Sequence, residues 1–320
     1  MRNPAFNFSS ITQSGAGTAA LLYVVLFLAY SSVEHSALSV SAFSDMVNNV
    51  SPLAIAAAGG TLIILMRGFD LSVAGVISLV NVVLASYPLD GASGAAISLA
   101  IALAIGSLAG LINGVLVAYG GFQAIAVTLA TMIMTGGLAL VVLDAPGGYV
   151  ADWLSETLTS TVAGIPVSGL VLLAVIALWA IVRKTDFGVA LYAVGQDEHA
   201  ASLSGIKVQR TRCVAFVIAG ALYGLSGYML SAQTATGNPT AGNSLLLLTF
   251  AAIALGGTSF RGGKGGLTGS IIGAASLMLL QKLLFSMGVQ SFYIGLLQGI
   301  VMIVAVGLMN AAEWFGARRA

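Results

Sequence analysis

The chain has 320 residues, of which 58% are hydrophobic and only 7% charged, with 12 Lys+Arg against 11 Asp+Glu. Soluble domains carry about 25% charge, so this composition excludes a water-soluble enzyme and a disordered tail. A net charge of +1 excludes a general nucleic-acid binder, which needs a basic face against phosphates. What remains is an all-α integral membrane protein, and its 40 glycines suit helices that pack backbone to backbone in lipid.

A bilayer crossing takes about 20 apolar residues. Spacing and turn signals predict about ten helices, at 17–33, 52–67, 71–88, 95–119, 123–143, 168–183, 213–233, 245–259, 267–285 and 293–312. The first reads as a retained helix: its flank carries only Arg2, and Val40-Ser41-Ala42 is a poor, distant cleavage site. Between Asp90 and Asp144 lie 53 uncharged residues, so that stretch must turn inside itself, at Gly120-Gly121. Another 48 lie between Arg212 and Arg261, with a turn expected in Thr234 to Ser244 around Gly237, Pro239 and Gly242. With the N-terminus in the cytoplasm, 11 of the 12 basic residues fall inside and only Lys282 outside. Glu34, Asp45, Asp90, Asp144, Asp152 and Glu156 fall outside, as the positive-inside rule asks. Both termini are then cytoplasmic.

Three small-residue stripes, Gly106/Gly110/Gly114, Gly220/Gly224 and Gly265/Gly269/Gly273, read first as packing seams. Asp70, three residues after Arg67, sits at a helix junction where the two could pair, and a role in structure is favoured over solute contact. Asn113, Gln123 and Thr128 offer uncharged hydrogen-bonding groups at depth, either for bonds between helices or for a neutral polyol in a path. Gly256 and Gly257, with Thr258, permit an irregular turn near the membrane, as do Gly262, Gly263 and Gly265. Arg261 and Lys264 read as inside-facing anchors.

Enzyme chemistry is not visible. His35 and His199 fall on opposite sides, no helix carries a cluster of ionisable groups, and no metal site is indicated. The run Thr258 to Gly265 approximates a P-loop, but Thr258 stands where the first Gly belongs and Gly265 where the Ser/Thr hydroxyl belongs. The chain is therefore not expected to hydrolyse ATP itself, and no cofactor is expected in it.

The chain reads as one transmembrane domain, 1–320, with one long cytoplasmic loop, 183–212. Within that loop Asp197 to Gly205 reads as a two-turn helix. Gly195 or Asp197 starts it, acids at Asp197 and Glu198 suit its N-terminal dipole, and Gly205 suits the left-handed stop. So short a helix needs a docking surface, either the chain's own membrane core or another protein; the residues alone fit equally a solvated connector with a local helical turn.

Three stretches resemble the permeases of bacterial ribose-type ABC sugar importers. Gly68-Phe69-Asp70-Leu71-Ser72-Val73, with Gly59-Gly60-Thr61 before it, is similar to G-G-I-D-L-S-V-G. Gly195 to Ile206 is similar to G-G-N-E-A-A-x-x-L-S-G-I. Leu255-Gly256-Gly257-Thr258-Ser259 with Gly262-Gly263-Lys264-Gly265 is similar to L-G-G-T-S-x-x-G-G-x-G. Asn113-Gly114 and Val127-Thr128-Leu129 also fit. The resemblance spans roughly residues 50 to 310. It implies a multi-pass protein of the bacterial inner membrane that forms the path for a monosaccharide or related polyol. It implies that residues 195–206 (Gly195, Asp197, Glu198, Ala200, Ala201, Gly205 and Ile206 among them) are a coupling helix that meets a separate ABC ATPase subunit, which holds ATP and Mg. It implies a second permease, identical or a sister chain, and a periplasmic sugar-binding protein. Four departures stand out. Arg67 replaces a Gly, Ala74 replaces another, and Ala124 replaces a Pro. Leu246 and Leu248 replace the two acids of E-L-D-A-I-A. That last change points to a sister chain that keeps the acids, or to a less polar solute. The competing readings are an ion-gradient-driven secondary transporter and a scaffold without transport.

Overall fold

The structure, a computed structural model, describes residues 15–290 together with 293, 295–297, 299, 300, 303 and 307. Helix α1 (Gly15–Val33) leads through a 3-10 turn (His35–Leu38) into α2 (Val40–Leu65). Then follow α3 (Val73–Ser86), α4 (Gly91–Ala118), α5 (Ala124–Val142) and the short α6 (Asp152–Thr159). A minimal hairpin, β1 (Thr161–Val162) and β2 (Ile165–Pro166), precedes α7 (Val167–Val182). The remainder is α8 (Asp186–Gln196), α9 (Glu198–Leu203), α10 (Val208–Thr234), α11 (Asn243–Leu255) and α12 (Leu267–Ser286). Among the described residues six helices are long and apolar enough to cross a membrane, or seven if α7 and α8, which bend by 79°, form one span. Helices α3 and α11 are apolar but shorter. The expected helix at 293–312 lies mostly outside the described residues.

Helix α2 is the axis of the bundle, buried almost throughout from Val50 to Met66. It is 26 residues long and starts at Val40, twelve residues before the sequence-based start at 52. The Ser39 hydroxyl caps it by accepting from Ala42 N. Pro52 lies in its interior and leaves the Asn48 carbonyl without its helical donor. The Ser51 hydroxyl donates to that carbonyl at 3.0 Å, so the helix continues through a residue that ordinarily ends one.

Helices α4 and α10 meet along the glycine stripes. A Cβ on Gly106 would fall 2.0 Å from the Gly220 carbonyl oxygen, and one on Gly110 2.2 Å from that of Phe216. The third stripe joins α12 to α11, with Gly269 against Gly256 and Gly273 against Ala252. Gly265 lies outside the helix, in a loop with φ +114°.

Helix α5 is polar inward and apolar outward. Thr128, Thr131 and Thr135 are buried while Ile133, Met134, Leu138 and Val141 are exposed. That inversion is what lipid demands: apolar side chains face the hydrocarbon, and hydroxyls find partners inside.

The ends of the helices sort by charge. The end of α2, the end of α7 and the starts of α10 and α12 share one end, with Arg67, Arg183, Lys184, Lys207, Arg210, Arg212, Arg261 and Lys264. Glu34, Asp90, Asp144, Asp152 and Glu156 lie toward the other, where Tyr149 N donates to Ala85 O and Gly147 bridges Gly237. These are called the basic and the acidic end below.

Candidate functional site

The three stretches that carry the sequence resemblance, far apart along the chain, meet at the basic end. They are the break between α2 and α3, the α8–α9 junction and the 256–266 loop. Gly263 N donates to Leu65 O at 2.9 Å. Arg67 Nε donates to Gly195 O at 2.8 Å, and its terminal nitrogen donates to Gln196 O. The Tyr192 hydroxyl donates to Gly265 O at 2.8 Å. The Gly195 and Gln196 carbonyls end α8, where a cation also complements the helix dipole. Arg67 itself sits at φ +61°, a conformation that costs a side-chain-bearing residue about 1–2 kcal/mol and that explains Gly at this position in the resemblance. A pairing of Arg67 with Asp70 is not formed. The guanidinium is taken by the two carbonyls, and the single ion pair among the described residues is Arg212–Glu198 at 2.9 Å.

The stretch 183–212 is more structured than the loop read from sequence. Helix α8 occupies 186–196 and α10 begins at Val208. Gly188, Leu191, Val194 and Gly195 of α8 are buried at helical spacing, so it lies against the bundle. Gly195 is therefore the end of α8 and not the start of the next helix. Asp197 starts α9: its Oδ1 accepts Ala200 N at 2.9 Å. Gly205 stops it at φ +85°, and Ile206 N closes back on Ala201 O. Ala201 is buried; Asp197, Glu198, His199, Ala200, Ser202, Leu203 and Gly205 are exposed, Leu203 at 77%. The Ala200 N–H holds the Asp197 carboxyl below its ordinary value of 3.8. A depressed pKa means that the cap is complete above the unfolded value and is lost as pH falls through the folded one. Hydrogen exchange in nanodiscs should find the Ala200 amide protected from neutral pH down past 3.8 and released only below it. Release already near pH 5 would contradict the cap.

Behind this junction lies a buried polar chain. Asp70 Oδ1 accepts Ser72 N at 3.0 Å and the Ser72 hydroxyl at 2.5 Å. Asn113 Nδ2 donates to Ser72 Oγ, and Thr131 Oγ1 to Asn113 Oδ1. Asp70 thereby ties the start of α3 to α4 and α5. Its Oδ2 is buried beside the Tyr223 hydroxyl, and outside that pairing neither atom has a partner. Tyr223 needs the space that Gly59 leaves: a Cβ there would meet its ring at 2.8 Å. Thr128 is buried and donates to Ala124 O within its own helix. Gln123 is exposed at the start of α5. Thr258 is buried with Ser270 and Thr61: Thr61 Oγ1 donates to Ser270 Oγ at 2.7 Å, and Gly266 N to Thr258 Oγ1. A Cβ on Gly257 would fall 2.1 Å from Gly15 Cα, and one on Gly256 2.4 Å from Gly269. Asn113, Thr258, Gly256 and Gly257 are thus engaged in helix junctions, while Thr128 bonds within α5.

A hollow of about 790 Å³ lies elsewhere, along α2, α11 and α12. Asn49, Ser244, Gln281 and Lys282 supply its polar groups; Val50, Leu247, Leu248, Ala251 and Phe285 are among its apolar wall. Sequence reasoning did not single out Asn49, Ser244 or Gln281. Each has a polar neighbour in sequence, Asn48, Asn243 and Lys282 respectively, and only the packing shows that the three face one space. Leu248, noted above as replacing an acid, lines it.

The described residues thus form a bundle of apolar, membrane-length helices with shorter members, a side hollow and a capped helix at the basic end. A family model described as branched-chain amino acid transport system, permease component, matches residues 42–306. The chain belongs to this family. The ribose import permease RbsC of Haemophilus influenzae is 34% identical over 88% of this chain and 89% of its own length. That of Escherichia coli K12 is 33% identical over 91% and 92%. The autoinducer 2 import permease LsrC of Yersinia pestis is 30% identical over 92% and 84%. No solved structure matches significantly. The chain is the transmembrane permease of an ABC importer and a multi-pass protein of the bacterial inner membrane. Such a subunit works with an ATPase and a substrate-binding protein.

Proposed function

We propose that this permease imports a monosaccharide or related polyol, driven by ATP and Mg bound on a separate ATPase, and that α9 is the element the ATPase moves. Helix α9 carries the reading. It is too short to persist unaided, yet it is capped at both ends, anchored through Ala201 and exposes Glu198, His199, Ser202 and Leu203. The basic end is then cytoplasmic, where Lys and Arg concentrate. Both termini are cytoplasmic, and ten helices cross or enter the bilayer, α3 and α11 among them as short members. The whole chain is one domain, with 183–212 as its cytoplasmic contact.

The cavity is the stretch of path that this chain contributes. Asn49, Ser244 and Gln281 are groups that a neutral polyol bonds to, and the relatives' names favour a sugar. A second permease, identical or a sister chain, closes it, and a periplasmic binding protein delivers the solute. With Leu at 246 and 248, the sister chain supplies acids or the solute is less polar.

Leu203→Asp is the direct test. Burying that side chain on docking is worth about 2 kcal/mol, or roughly thirty-fold in association. Co-purification of the ATPase in mild detergent should fall by about that factor. Undiminished ATPase recovery, or vesicles holding this chain alone that fill with sugar without ATP, would remove the reading.

A further inference from the structure

We propose that Arg67 is a positioning residue that carries movement of α9 to the cavity wall. The proposal rests on α9 being the surface met by the ATPase.

The end of α8 and the residue before α9's cap are held by one side chain, through Gly195 O and Gln196 O. Arg67 keeps those bonds from a left-handed backbone, φ +61°, at a position where the resemblance has Gly. Strain held at one residue points to a constraint worth keeping. On its other side Arg67 is covalently continuous with the break that starts α3. The wall of contacts then continues without a gap. Ala74 of α3 packs on Gly242, where a Cβ would fall 2.0 Å from the Ala74 carbonyl oxygen. Ser78 Oγ accepts Gly242 N at 2.9 Å. Gly242 caps α11, whose Ser244, Leu247 and Leu248 line the cavity. The other strut from α9, Glu198–Arg212, leads to α10 and not to α11. Backbone packing of Gly195 on Leu65 and of Gly263 on Gln196 holds the same junction together, and Arg67 is the side chain that adds polar bonds from it to the residues leading into α3.

The test uses the complex with its ATPase, in a Cys213→Ser background. Leu247→Cys, 71% exposed on the cavity wall, is modified with a water-soluble maleimide, with and without ATP–vanadate. With Arg67 present, the modification rate should change by about ten-fold between the two states, and in Arg67→Gly by less than about two-fold, the scale of one lost coupling element. Arg67→Lys, which keeps the charge and one donor, should respond in between. ATPase recovery and hydrolysis rate should be unchanged in both. An Arg67→Gly complex that responds fully overturns the proposal. So does one that loses its ATPase, which would assign Arg67 to assembly, and so does a chain with Arg67 that shows no response. Failure of the underlying reading shows separately, as absence of a Leu203→Cys cross-link to the ATPase when Arg67 is in place.

Discussion

Gly195→Ala should abolish import while leaving the chain at normal abundance in the membrane. A methyl at that position lies 1.8 Å from the Leu65 carbonyl oxygen and 2.6 Å from Gly263 N. Those two atoms are bonded to each other at 2.9 Å, so the methyl wedges into a hydrogen bond that joins two of the three converging segments. Neither partner is a side-chain tip that could rotate away. Relief requires α8 to lift off the end of α2, and the Arg67 bond to Gly195 O goes with it. Overpacking of this kind costs about 3 kcal/mol, or about a hundred-fold in the population of the intact junction. The spans are untouched, so insertion proceeds. Uptake per unit of membrane-inserted protein is the measurement, and Gly136→Ala is the control, since a Cβ there meets nothing within 4 Å. Equal uptake by the two variants would show that the α8–α2 contact is dispensable.

Gly220→Val should leave no stable protein to extract. Its Cβ would fall 2.1 Å from the Gly106 carbonyl oxygen and 3.0 Å from Gly110 Cα. In lipid no hydrophobic force holds helices together, and close backbone packing supplies most of the attraction. Separating α4 from α10 therefore removes the contact without replacing it, at a cost of about 3 kcal/mol or more. Because Gly106 and Gly220 share a single contact, Gly106→Ala combined with Gly220→Ala should cost little more than either alone. Thermal aggregation in detergent measures both. Strict additivity of the two alanines, or a monodisperse Gly220→Val protein, would contradict the seam.

Glycine spacing thus located the seams in the sequence, and the structure named their partners. The stripe on α4 predicted a close neighbour, and α10 is that neighbour because Gly220 and Gly224 repeat the same spacing at the facing depth. Helix α2 was harder. Asp45 and Pro52 are both signs of a boundary in a sequence, yet the helix runs through both, with the Ser51 hydroxyl meeting the freed Asn48 carbonyl. Helix α8 was hidden because its buried face is built from Gly188, Ala190 and Gly195 as much as from Leu191 and Val194. Glycines give no apolar periodicity to read. The end of α9 was legible, since Asp197 and Gly205 act locally as cap and stop.

Apolar character, the gathering of basic residues at one end and local capping were legible in the order of residues alone. They depend on contact with lipid, with water or with the next turn of the chain, and each of those is set within a few residues. That placed the chain in a membrane, marked its basic end and outlined α9. Which distant segments touch was decided only by packing. The meeting of Leu65, Gly195 and Gly263, the turning of Arg67 away from Asp70 to two carbonyls, and the gathering of Asn49, Ser244 and Gln281 around one cavity all join residues 100 or more positions apart or on separate helices. Their energies depend on distances of a few ångströms across helices, and a linear pattern does not encode those distances.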